Sequence, residues 1–203
     1  MFSFEKATMA MCLALAIVAS PVPPASDVPT QLDAPNNTFF QPTMYQIFPR
    51  DARKSGPAVS QLQVVRADNG STLENIAVFK GIPSNAKTCM LGWVQAAKPE
   101  RTEFVVQGSG LLATQQLSSL PNGDVNWEKI APIAQEAVTQ ERPLLHPDTT
   151  SWPNIETAAS HIAGFIDCAE TIYLKIQVDD RNPAGSVYLG QDTKNGLTLQ
   201  VQG

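Results

Sequence analysis

The alternation of apolar and polar positions is most regular near the C-terminus. In TIYLKIQVDD, which starts at Thr171, the apolar Ile172, Leu174, Ile176 and Val178 alternate with Tyr173, Lys175 and Gln177. A period of two with one wet face predicts an antiparallel strand half covered by a core. The turn sequence RNPAG follows. SVYLGQD then carries Val187 and Leu189 inward, and NGLTLQVQ repeats the pattern with Leu197, Leu199 and Val201. Together these segments predict a run of three strands.

Upstream the same period recurs in shorter pieces. Strands are predicted at Thr43 to Phe48, Val59 to Arg66, Thr72 to Phe79, Thr88 to Gln95, Thr102 to Gln107 and Gly110 to Leu117. Asp68-Asn69-Gly70 separates the second from the third, and Asn-Gly readily takes the positive φ of a tight hairpin turn. The period changes between the two halves. Ile133, Ala134, Ala137 and Val138 have helical spacing, Pro132 suits a first turn, and Pro143 ends the run, so a short helix is predicted from Ala131 to Gln140. The remainder, broken by Pro147 and Pro153, reads as a long connection. The predicted fold is all-β: an antiparallel β-sandwich over residues 43–203 with a long, partly helical connection between strands.

The N-terminus has a different character. Residues 1–19 read as a signal peptide, because Lys6 leads into an apolar run from Ala7 to Ala19 that is too short for the ~20 residues a bilayer core needs. Residues 20–42 read as a Pro-rich extended leader; the chain has 16 prolines, and they crowd from Pro21 onward. No later segment reads as a membrane span, and the C-terminal GLTLQVQG lacks an anchor signal. The expected location is secreted: extracellular or in a cell wall.

Composition narrows the partners. With 43% apolar residues, 16% charged residues and a net charge of −5, the chain is globular and mildly acidic. Scattered basic residues argue against nucleic acid and anionic membranes. Export also decides the cysteine arithmetic. Of 3 cysteines, Cys12 falls in the signal, which leaves Cys89 and Cys168 as a pair on an oxidising route. Leu91 and Trp93 share the strand face of Cys89, which disfavours a catalytic thiol. His146 and His161 are the only histidines, too few for a zinc site. A Cys89–Cys168 disulfide is therefore expected. Asn36 and Asn69 each open an N-glycosylation sequon and are candidate acceptors.

Catalytic patterns are missing. Ser109 in QGSGLL lacks the spacing of a hydrolase elbow. Glu103, Asp124, Glu128, Asp167, Glu170, Asp179, Asp180 and Asp192 are acids, but nothing in the sequence pairs two of them across a cleft. Asp179, Asp180 and Asn182 are oxygen ligands of the kind calcium takes, but a polar turn between two strands is the favoured reading. No cofactor or metal is assigned. Trp93 is expected in the core. Trp127 and Trp152 lie in the long connection, where exposed rings stack on sugars and buried ones cap a core.

The order and spacing of IFP, TCMLGWV, GFIDCAETIYLKIQV and VYLGQDTKNGLTLQV resemble the fungal family named for the ubiquitin 3 binding protein C-terminal domain, over Gln46 to Val201. The resemblance implies a secreted or wall-associated β-rich domain of unknown activity. Ubiquitin itself is no expected partner, since it is cytosolic. The functional expectation is a secreted, non-enzymatic β-sandwich with a structural or interaction role at the fungal cell surface, its partner a wall polysaccharide or a protein. A carbohydrate-binding module using Trp127 and Trp152 is the alternative, and a secreted hydrolase the third reading.

Overall fold

The structure, a computed structural model, describes residues 37–203. The expected signal peptide, most of the expected leader and Asn36 lie outside the described residues. Two antiparallel sheets face each other. The smaller runs β1 (Thr38–Phe40), β13 (Gly196–Gln202), β6 (Thr88–Gln95) and β10 (Ala159–Ile166), in that order. The larger runs β7 (Phe104–Gly108), β12 (Gly185–Leu189), β4 (Leu62–Ala67), β5 (Gly70–Lys80), β11 (Thr171–Val178), β8 (Leu112–Leu117) and β9 (Leu144–Leu145). β2 (Thr43–Ile47) pairs with β5, and β3 (Ser55–Val59) pairs with β2.

The predicted alternation explains the core. Leu91 and Trp93 of β6 and Leu197 and Leu199 of β13 are buried against Leu62, Val64, Phe79, Leu174 and Ile176 of the larger sheet. Each such side chain removed from water contributes about 1.5–3 kcal/mol, so the inward row of every strand holds the sandwich shut. The expected disulfide is present. Cys89, near the start of β6, bonds to Cys168 in the link between β10 and β11, with a Cα–Cα separation of 5.4 Å. It clamps the place where the chain passes from the small sheet to the large one.

Several expectations are corrected or refined. The three C-terminal strands form, but they do not pair with one another: β11 lies between β5 and β8, β12 between β4 and β7, and β13 between β1 and β6. Alternation reports which face is buried; it does not report which strand lies alongside. The outer face of β11 is not wet either. Helix α1 (Trp127–Thr139) covers part of it, and Ile130 and Ala137 form a second buried cluster with Ile47, Ile76, Val78 and Leu117. Lys175 is consequently only 7% exposed.

The helix starts four residues before the predicted Ala131. Asn126 caps it by accepting a 3.1 Å hydrogen bond from the Lys129 amide, which satisfies one free donor of the first turn. Pro132 then falls inside the helix instead of in its first turn. The leader is shorter than expected, because Thr38–Phe40 pairs with β13 as β1. Finally, the long connection contains β9 and β10, and the predicted strand at Val59 to Arg66 breaks between β3 and β4.

Candidate interaction face and polar groove

The small sheet is chemically unlike the rest of the molecule. None of the residues in β1, β13, β6 or β10 is Asp, Glu, Lys or Arg, in a chain of which 16% is charged. Register fixes what its outer surface shows. One row across the sheet reads Phe40, Thr198, Gly92, Ile162, of which Thr198 and Gly92 are buried by their neighbours; the next reads Thr38, Gln200, Met90, Phe165. Both rows point outward because Leu91, Trp93, Leu197 and Leu199 point in. Ile162 is 54% exposed and Phe165 64%.

A local irregularity produces that display. Ile162 and Phe165 are three residues apart, so a regular strand would send them to opposite faces. The register of β10 on β6 shifts between Ile162 and Gly164, so Ala163 is the extra residue of a β-bulge and both apolar side chains emerge on the outer surface. Gly164 takes φ +151°, in the left-handed range that favours glycine. Gly92 is needed for a different reason: a Cβ there would lie 2.3 Å from the His161 carbonyl oxygen. Its missing side chain lets β10 approach.

The tryptophans have other duties. Trp93 is buried, with the exposed His161 ring 4.2 Å away and tilted 34°. Trp152, half-buried in a 3-10 turn, sets its edge 4.8 Å from Trp93. Trp127 opens α1 and packs in the outer cluster, with Lys175 Nζ 5.2 Å from its ring centroid. The two candidate sugar-stacking residues thus pack in different clusters, Trp152 between the sheets and Trp127 under the helix. The structure does not bring them together.

It does bring together residues that the sequence left scattered. Past the end of α1, the outer row of β11 continues through Lys175, Gln177 and Asp179. Gln115 and Ala113 lie beside them on β8, and Leu144 lies next to Gln115. With His146, Val138, Asp180 and Arg181 these line a groove of about 350 Å³.

Its buried charges are matched internally. Lys175 Nζ lies 2.9 Å from Glu74 Oε2, an ion pair by distance although the angle falls short of a hydrogen bond, and it also donates to Gln177 Oε1. Asp179, 1% exposed, accepts from the Arg181 guanidinium at 2.5 Å and from the Arg181 amide at 3.0 Å. His146 Nδ1 lies 2.8 Å from Asp179 Oδ2 and 2.9 Å from Arg181 Nη2. Nδ1 donates when it bonds the carboxylate and accepts when it bonds the guanidinium, which can only donate; in both arrangements Nδ1 is committed and Nε2 is free. Arg181 holds the Asp179 carboxyl well below the ordinary carboxylate range; burial opposes this, and His146 adds to it.

The remaining candidate acids have local roles. Asp192 accepts from the Lys194 and Asn195 amides and closes its own turn. Asp167 donates its backbone amide to Gln116 Oε1, and Glu128 pairs with Arg53 on the surface. Asp180 is exposed beside Asp179, whose carboxylate is held by Arg181 and His146. No group of three or more metal-ligating side chains occurs among the described residues. Asn69 is exposed in its hairpin turn, where its Oδ1 accepts from Arg50. No helix among the described residues is long and apolar enough to cross a membrane.

Comparison with family models finds no match for this chain, and comparison with curated proteins finds none. The groove was signalled in sequence by one oddity: a lysine, Lys175, within an apolar strand. The interaction face was signalled only by a run of uncharged strands, which composition averages conceal.

Proposed function

We propose that this protein is an exported, non-catalytic interaction module that docks on a neutral surface of the cell exterior through the outer face of its small sheet. The observation that carries the reading is the absence of charge from all four strands, together with Ile162 and Phe165 held outward by a bulge. A charge-free face forms a contact without the cost of stripping water from ions, and apolar area removed from water contributes about 25 cal/mol per Å². Exposed apolar patches of this kind mark interaction sites.

The partner chemistry that fits is a neutral wall polysaccharide. Its pyranose rings present C–H faces to Phe40, Met90 and Phe165, and its hydroxyls meet Gln200. The resemblance to the fungal wall-associated family agrees with this setting, as does the Cys89–Cys168 bond with an oxidising compartment. The test is retention on insoluble neutral glucan and chitin. Retention should be insensitive to salt, because no ion pair is involved, and the Ile162→Lys/Phe165→Lys double variant should lose it while staying folded. Salt-sensitive retention, or retention unchanged in the double variant, would refute the reading.

A further inference from the structure

We infer that the groove beyond the end of α1 is a second binding site, for a single uncharged, hydroxyl-rich ring such as one saccharide unit. The site is physically separate from the sheet face. The inference rests on the reading above only for the source of its ligand, a neutral glycan.

The chemistry comes from what the groove has already satisfied. The buried Lys175 is neutralised by the buried Glu74, and the buried Asp179 by the Arg181 guanidinium, whose outer side faces water. A ligand charge that drew either partner away would leave a buried charge uncompensated. Apart from the exposed Asp180 carboxylate, which accepts hydrogen bonds and repels anions, what is left to offer is neutral. Gln177 has its Oε1 occupied by Lys175, which leaves its NH2 to donate. Gln115 has its Nε2 committed to the Ala134 carbonyl at 3.1 Å, which leaves its Oε1 to accept. His146 has Nδ1 committed to Asp179 or Arg181, which leaves Nε2.

A set that offers both donors and acceptors is matched by hydroxyl groups, because each hydroxyl both donates and accepts. Val138, 59% exposed, and Leu144, 51% exposed, form an apolar wall for the C–H side of such a ring. A volume of about 350 Å³ is at the small-ligand end of binding sites and admits a sugar ring.

The test is an NMR titration of the 15N-labelled, disulfide-intact protein with the methyl glycosides of glucose, mannose and N-acetylglucosamine, and with glucuronate and galacturonate as charged counterparts. At least one neutral glycoside should shift the side-chain amides of Gln115 and Gln177 in a saturable way, with weaker binding of the charged sugars. Gln177→Ala should weaken binding about five- to tenfold, the loss of one hydrogen bond. Leu144→Ser, at an exposed position that folding tolerates, should weaken it as well and serves as the control should Gln177→Ala perturb the fold. Ile162→Lys/Phe165→Lys should leave the titration unchanged, so failure of the sheet-face reading and failure of this one register separately. No shift in the groove with any neutral glycoside, equal or tighter binding of the charged sugars, or affinity unaltered in both groove variants would overturn the inference.

Discussion

Breaking the Cys89–Cys168 bond is the perturbation whose magnitude follows most directly from the structure. The two cysteines are 79 residues apart, and the closed loop contains β7, β8, α1, β9 and β10. In the chain-entropy account a closure of that length removes about 15 cal/mol/K from the unfolded ensemble, or about 4.5 kcal/mol at room temperature. A domain of this size is stable by about 5–15 kcal/mol in total, so reduction removes a large share. The assay is urea unfolding of one sequence, oxidised against reduced and alkylated. That comparison avoids mixing in the cavity that Cys89→Ala would leave at a site only 1% exposed. The reduced protein should unfold at a lower midpoint with a larger m-value, because its unfolded chain is less compact. Its Tm should fall by about 9–18 °C, at about 2–4 °C per kcal/mol. Reduced protein within about 1 kcal/mol of oxidised would show that the loop is already restrained in the unfolded chain, and the reasoning would fail.

Lys175→Met leaves Glu74 buried and unpaired and should cost about 3–5 kcal/mol in urea unfolding, whereas the Glu74→Met/Lys175→Met double variant should come close to wild type. Asp179 has its folded pKa depressed, so its contribution to stability is present above the ordinary unfolded value of about 3.9 and is lost as pH falls through the folded one; Asp179→Asn should flatten the acid limb of a stability–pH profile measured by urea midpoints. Gly92→Ala should destabilise by about 1–3 kcal/mol, because its Cβ would lie 2.3 Å from the His161 carbonyl oxygen and push β10 off β6. Asn126→Ala should cost about 1 kcal/mol in the same assay through loss of the cap on α1.

The amino-acid order by itself determined the fold class, most of the strands and the covalent link. These are local or arithmetic properties. A strand's period of two is imposed by its own backbone, so Ile172, Leu174, Ile176 and Val178 declare an inward row wherever the strand ends up, and the two cysteines outside the expected export signal have only each other. Tertiary structure decided the rest. The three last strands alternate alike, yet they join three different pairs of neighbours, because pairing depends on segments tens of residues to more than a hundred residues away. Lys175 reads as solvent-facing until α1 arrives over its row and Glu74 meets it from β5. The outward pair Ile162 and Phe165 depends on a bulge that exists only in register against β6. The groove depends on where a helix stops over a sheet. Periodicity records the geometry of one element, and both candidate sites are made where several elements meet.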